Sequence, residues 1–153
     1  DQQYVGVVQN ETLKRVEALI NQLPLHIIQL HGEESPLYCE QVREMKIKVW
    51  KALSVSELDQ LGDYAPYVDG ILLDTKTEFH FGGTGKPFDW SQIPIWYEQT
   101  VRKKIELWVA GGITSENVKL LQAYPFDGFD VSSGIETDGE KDPQKMKSLV
   151  EAI

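Results

Sequence analysis

Six short apolar runs recur along the chain: "YVGVV" (4–8), "HIIQL" (26–30), "KVWKAL" (48–53), "GILLD" (70–74), "LWVAG" (107–111) and "GFDVS" (128–132). They are near-continuous rather than alternating, which is how strands covered on both faces read, as in parallel sheets. Their starts lie 21–22 residues apart, except for one wider gap between 70 and 107. Helical spacing fills the intervals. Asn10 is an N-cap candidate for a helix carrying Leu13, Val16, Ile20 and Leu23, ended by Pro24. Ser35-Pro36 reads as an N-cap followed by proline at the first helical position, ahead of Leu37, Cys39, Val42 and Met45. Ser56 opens a third pattern with Leu58, Leu61 and Ala65. Trp90, Ile93, Trp96 and Tyr97 suggest a fourth, disturbed by Pro94. Thr114 precedes a fifth with Val118, Leu120 and Leu121, and Asp142-Pro143 a sixth with Met146, Leu149, Val150 and Ile153.

Strict βα alternation with short connections leaves two α/β architectures, a (β/α) barrel or a doubly wound open sheet. The dinucleotide type of open sheet places G-x-G-x-x-G after its first strand, whereas "QNET" follows the first strand here. The chemically loaded residues instead follow several strands: His31-Gly32, Asp74, Gly111-Gly112 and Ser132-Ser133-Gly134. That distribution is the barrel pattern. The expectation is one domain over residues 1–153, a TIM-type (β/α) barrel with six of its eight βα units. The chain starts at Asp1 and is in a strand by Tyr4, so the missing units are expected at the front.

Composition narrows the partners. The 153 residues suit one core, and the net charge is −9, from 15 basic and 24 acidic side chains. An acidic chain without a basic cluster is a poor partner for nucleic acid or an anionic membrane surface. It can still bind a small anion through backbone N–H groups. No apolar run approaches the ~18 residues of a membrane span. The one cysteine, Cys39, excludes an internal disulfide and fits a reducing cytoplasm. His26 and His80 belong to no metal-ligand spacing, so no metal site is expected.

The candidate chemistry sits at strand ends. "AGGIT" (110–114) and "DVSSGIE" (130–136) are successive strand-to-helix turns rich in glycine and serine. Gly111, Gly112, Ser132, Ser133 and Gly134 can offer amides and hydroxyls to a phosphate, and consecutive loops after the last two strands are where such barrels hold one. Tight turns alone would also explain each motif. Asp74 ends "GILLD", where partial desolvation favours a proton donor near neutral pH; it could equally cap the turn with Thr75. His31 could line the same mouth, or sit in a turn without a role. Cys39 lies inside a helix pattern and reads as a small buried apolar residue. "FGGTGKPFDW" (81–90) carries Gly82, Gly83 and Gly85, but Pro87 after the lysine breaks the G-x-x-x-x-G-K-[ST] spacing of a phosphate loop. It reads as a long loop over the mouth near Asp74 that touches the ligand.

"QLHGEE" (29–34), "VWKALSV" (49–55), "ILLDT" (71–75), "GGTGKPFDW" (82–90), "AGGITSENV" (110–118) and "DVSSGIETDGEKD" (130–142) occur in one order. In that order they resemble phosphoribosylanthranilate isomerase, the tryptophan-biosynthesis barrel, over essentially the whole chain. The resemblance implies a cofactor-free Amadori rearrangement of N-(5′-phosphoribosyl)anthranilate to 1-(2-carboxyphenylamino)-1-deoxyribulose 5-phosphate. It implies Asp74 as general acid, Asp130 as an orienting residue, and the phosphate at Gly111, Gly112, Ser132, Ser133 and Gly134. It also implies a base cysteine after the family's first strand and an anthranilate-binding arginine after its second. Neither motif occurs here, because "YVGVV" is similar to the family's third strand. The chain alone is therefore expected to be essentially inactive, and to dimerise, close into a smaller barrel or lose stability. The other readings are a non-catalytic sugar-phosphate binder, and another ribulose-phosphate barrel such as indole-glycerol-phosphate synthase with Lys51 in "VWKAL".

Overall fold

A computed structural model describes residues 2–76 and 88–153. Six parallel strands form one sheet in chain order: β1 (Val5–Val8), β2 (Ile27–Leu30), β3 (Lys48–Ser54), β4 (Gly70–Asp74), β5 (Glu106–Ala110) and β6 (Gly128–Phe129). Neighbours in sequence are neighbours in space, as in a barrel. β1 and β6 are the two ends of this order and do not pair with each other. The strands form a half-barrel of the TIM type, so the expected closure into a smaller barrel is not what the chain adopts.

Between the strands run α1 (Leu13–Gln22), α2 (Pro36–Arg43), a 3-10 turn (Val55–Gln60) leading into α3 (Leu61–Tyr64), α4 (Ile93–Lys103) and α5 (Val118–Leu121). After β6 come a 3-10 turn (Ser133–Ile135), a small antiparallel hairpin of β7 (Glu136–Thr137) and β8 (Glu140–Lys141), and α6 (Pro143–Ala152).

The caps explain where the helices begin, and correct several expectations. Thr12, not Asn10, caps α1 by accepting from the Arg15 N–H. Asn10 has φ 50° and its amide oxygen accepts from Glu33 N–H. Ser35 caps α2 with Pro36 in the first turn, as expected. Ser54 and Glu57 form a capping box ahead of the 3-10 turn, two residues before the expected Ser56. Pro94 sits in the first turn of α4, where no N–H is needed, so it opens the helix rather than disturbing it. Asp142 caps α6 through Gln144 and Lys145 N–H groups.

The main core lies between the sheet's outer face and the helices. Leu30, Val49, Leu53, Ile71, Leu73, Leu107 and Val109 meet Val42, Leu61, Ile93, Trp96, Val118 and Leu121. A smaller cluster of Ala52, Leu72 and Ala110, with Trp108 against it, lies on the inner face. There Trp50 and Trp108 sit 4.6 Å apart between ring centroids. Each indole lies over a glycine of the next strand. A Cβ on Gly70 would sit 2.8 Å from Trp50, and one on Gly128 would sit 2.4 Å from Trp108.

At the start of the strands, Asp69 accepts from Val49 N–H at 2.9 Å and Asp127 from Leu107 N–H at 2.7 Å. Each carboxylate pins the strand that follows it to the strand before. The register so fixed puts Asp74 beside Ser54 and Ala110, in the last inward-facing row of the sheet.

Candidate active site

The C-terminal ends of β4, β5 and β6 converge on a cavity of about 220 Å³. His31, Asp74, Gly111, Gly112, Asp130, Ser132, Ser133 and Gly134 all line it, together with Lys76. Eight residues singled out at four separate strand ends are thus brought to one place. Gly82, Gly83 and Gly85, and the loop role expected for them, lie outside the described residues.

Asp74 is half-buried, and its Oδ1 accepts from Lys76 N–H at 3.0 Å. One carboxylate oxygen therefore does cap the turn that follows, yet the group still faces the cavity. Thr75, fully buried, ties this turn to β5: its hydroxyl donates to the carbonyls of Ala110 (2.8 Å) and Gly111 (3.2 Å). Gly111 and Gly112 have φ of +99° and +72°, which only glycine adopts without strain. A Cβ on Gly111 would meet Asp74 Oδ1 at 2.9 Å, and one on Gly112 would meet the Phe88 ring at 2.3 Å. The glycines let the β5 turn press against the carboxylate on one side and an aromatic wall on the other. Phe88 in turn stacks on Trp90, with centroids 4.5 Å apart.

Thr114 and Asn117 lock the same turn from below. Asn117 Oδ1 accepts from Thr114 N–H at 2.8 Å, and its amide donates to the Gly112 carbonyl at 2.7 Å. The loop after β6 packs directly on this turn, because a Cβ on Gly134 would fall 1.9 Å from the Ile113 carbonyl oxygen. At the rim Lys141 Nζ donates to Ser132 O at 3.3 Å and to Glu136 Oε1 at 2.5 Å. The Lys141 hydrogen bond, helped by the charges of Lys141 and Lys76, holds the Glu136 carboxyl below its ordinary range. His31 is held on the opposite wall by its ring Nδ1, 3.0 Å from Gln29 Oε1.

Two cysteine and lysine expectations resolve clearly. Cys39 is fully buried on α2, and desolvation pushes its thiol up to about 12. Lys51 alternates to the helix side of β3, 2% exposed, and donates to the carbonyls of Leu30, Gly32 and Ala52. Its charge is met by Glu34 at 3.4 Å. It is not among the residues lining the cavity. Phe88 and Lys76 escaped the sequence reading, and Thr75 entered it only as part of the turn after Asp74. The signal for Lys76 was adjacency to Asp74 in "LLDTK"; the Phe88 wall had none.

A family model described as "N-(5'phosphoribosyl)anthranilate (PRA) isomerase" matches residues 1–152. The chain belongs to the phosphoribosylanthranilate isomerase family. It is 42% identical to the N-(5'-phosphoribosyl)anthranilate isomerase of Geobacillus thermodenitrificans, over 99% of this chain and 70% of that protein. It is 45% identical to that of Brevibacillus brevis, over 97% of this chain and 69% of that protein. Among solved structures, the Thermotoga maritima phosphoribosyl anthranilate isomerase is 35% identical with a TM-score of 0.77, covering 97% of this chain and 71% of that one. A phosphoribosyl anthranilate isomerase crystallised with reduced 1-(o-carboxyphenylamino)-1-deoxyribulose 5-phosphate is 30% identical, also with a TM-score of 0.77, covering 97% of this chain and 69% of that one. The half-barrel is thus similar to about seven-tenths of these relatives, and no described helix is long and apolar enough to cross a membrane.

Proposed function

We propose that the cavity at the strand ends binds N-(5′-phosphoribosyl)anthranilate and serves its isomerisation to 1-(2-carboxyphenylamino)-1-deoxyribulose 5-phosphate in tryptophan biosynthesis. One observation carries this reading: Asp74 and the two glycine–serine turns line a single cavity. Amides and hydroxyls of Gly111, Gly112, Ser132, Ser133 and Gly134 suit a phosphate, because backbone N–H donors hold an anion without a matching charge. Asp74 stands one strand away as the general acid that protonates the ribose ring oxygen and opens the ring. Asp130 orients the sugar, and His31 faces it from the β2 side. Gly82, Gly83 and Gly85 are proposed to touch the ligand.

The proton at C2′ must then go to a base. Cys39 is not that base: it is buried on the helix side with its thiol held protonated. Likewise, no arginine stands among the described residues lining the cavity to hold the anthranilate carboxylate. The 153-residue chain alone is therefore proposed to bind the sugar phosphate and turn it over at a negligible rate. The synthase reading loses its support, because Lys51 is locked on the outer face.

The test is calorimetric titration with the reduced product, alongside a turnover assay on the substrate. Binding with turnover near background is expected, and Asp74→Asn should leave binding within about fivefold, since a neutral amide keeps the shape. Turnover at a rate typical of the family would sink the claim of inactivity; no binding would sink the site. The chain is proposed to act in the cytoplasm and to self-associate through its open sheet.

A further inference from the structure

The cavity is lined by two carboxylates, Asp74 and Asp130, in a chain of net charge −9. An anionic ligand enters that field against repulsion unless a cation stands in the wall. Among the described lining residues the only lysine or arginine is Lys76. Lys141, at the rim, is already held by Glu136 and the Ser132 carbonyl.

Three contacts fix Lys76 at the glycine turn. Its N–H donates to Asp74 Oδ1 at 3.0 Å. Its nitrogen would sit 2.9 Å from a Cβ on Gly111, so the two backbones are in close approach. Its backbone pairs in an antiparallel bridge with Phe88, whose ring covers Gly112. Its side chain is exposed and makes no ion pair among the described residues. Its charge helps to lower the Glu136 carboxyl, after the hydrogen bond and the charge of Lys141.

We propose that Lys76 is the counter-charge for the ligand's phosphate, closing the glycine–serine cradle from the β4 side. The inference rests on the reading of this cavity as a sugar-phosphate site and adds the residue that lets an acidic wall accept a dianion. Backbone amides give the phosphate its geometry; the ammonium offsets Asp74 and Asp130. A lysine suits this role as a compact charge on a flexible stem.

The experiment titrates the 153-residue chain with inorganic phosphate and, separately, with anthranilate. The readout is the amide chemical shifts of Gly111, Gly112 and Gly134. Phosphate should move these signals in the wild type. Lys76→Met should weaken phosphate binding about tenfold or more, as expected for losing one charge-assisted contact, and flatten its salt dependence. Lys76→Arg should restore most of it, and the anthranilate response should be unchanged. If Lys76→Met binds phosphate within twofold of wild type, the inference is wrong while the phosphate site stands. If Lys76→Met loses anthranilate instead, the charge serves the other end of the ligand. If phosphate moves none of the three glycines in the wild type, the cavity reading itself fails and takes this inference with it.

Discussion

Gly111 meets two demands that can be separated by substitution. Its φ of +99° strains any other residue, and its Cβ would press on Asp74 Oδ1 and Thr75 Oγ1 within 3.0 Å. Gly139 has φ +81° with nothing within 4 Å of its Cβ. Gly139→Ala should therefore cost only the backbone term, about 1 kcal/mol. Gly111→Ala should cost more and displace the Asp74 carboxyl, lowering the melting temperature further and abolishing ligand binding; equal melting shifts would show that the contact is slack. Cys39 offers a second test. Its thiol rises from an ordinary 9.0 to about 12, chiefly by desolvation. Above pH 9 the unfolded chain loses this proton while the folded chain keeps it, so the unfolded state binds fewer protons and stability falls. The contribution is whole below pH 9 and is lost as pH climbs towards about 12. At pH 8 the native thiol should resist iodoacetamide and react only on denaturation; rapid native alkylation would contradict its burial.

At the scale of elements, β3 shows how a strand can hold a charge inside. Lys51 and Glu34 are both 2% exposed in their side chains. Glu34 also accepts from Asn10 and Gly32 N–H groups at 2.8 Å each, so the pair joins the turns after β1 and β2 to the middle of β3. Removing one partner leaves an unmatched buried charge, and Lys51→Met should cost about 3–5 kcal/mol in chemical denaturation. The double variant Lys51→Met, Glu34→Gln should recover part of that; no recovery would mean the cost is packing. The same lysine marks a limit of legibility. The apolar runs placed all six strands because parallel strands covered on both faces need such runs. Yet "VWKAL" says nothing of which face Lys51 takes, since both faces are apolar. Asp142 and Ser35 were readable as caps because cap chemistry is local. Thr12 displaced Asn10 because Asn10 was recruited by Glu33 and Glu34, 23 and 24 residues away. The strand-end residues were readable because barrels concentrate chemistry there. The Phe88 wall was not, because its contact with Gly112 exists only once β4 and β5 are side by side.

At the scale of the molecule, β1 and β6 each pair on one side only among the described residues. Val5 and Val7 of β1 are 37% and 59% exposed, and with Ile27, Trp50, Trp108 and Phe129 they line a broad hollow on the inner side. Unpaired strands beside apolar surface favour association. Sedimentation at tens of micromolar should show species larger than a monomer, reduced by Val7→Lys; a monomer that binds no apolar dye would refute this. Within that hollow, the two tryptophans set an order on sequence change. A side chain at Gly70 forces Trp50 to shift or shrink, and one at Gly128 forces Trp108 to. In descent from such a chain, the path on which the large residue goes first and the small one second avoids that contact altogether. The reverse path must first displace an indole, so the two positions of each pair are not interchangeable in the order they change.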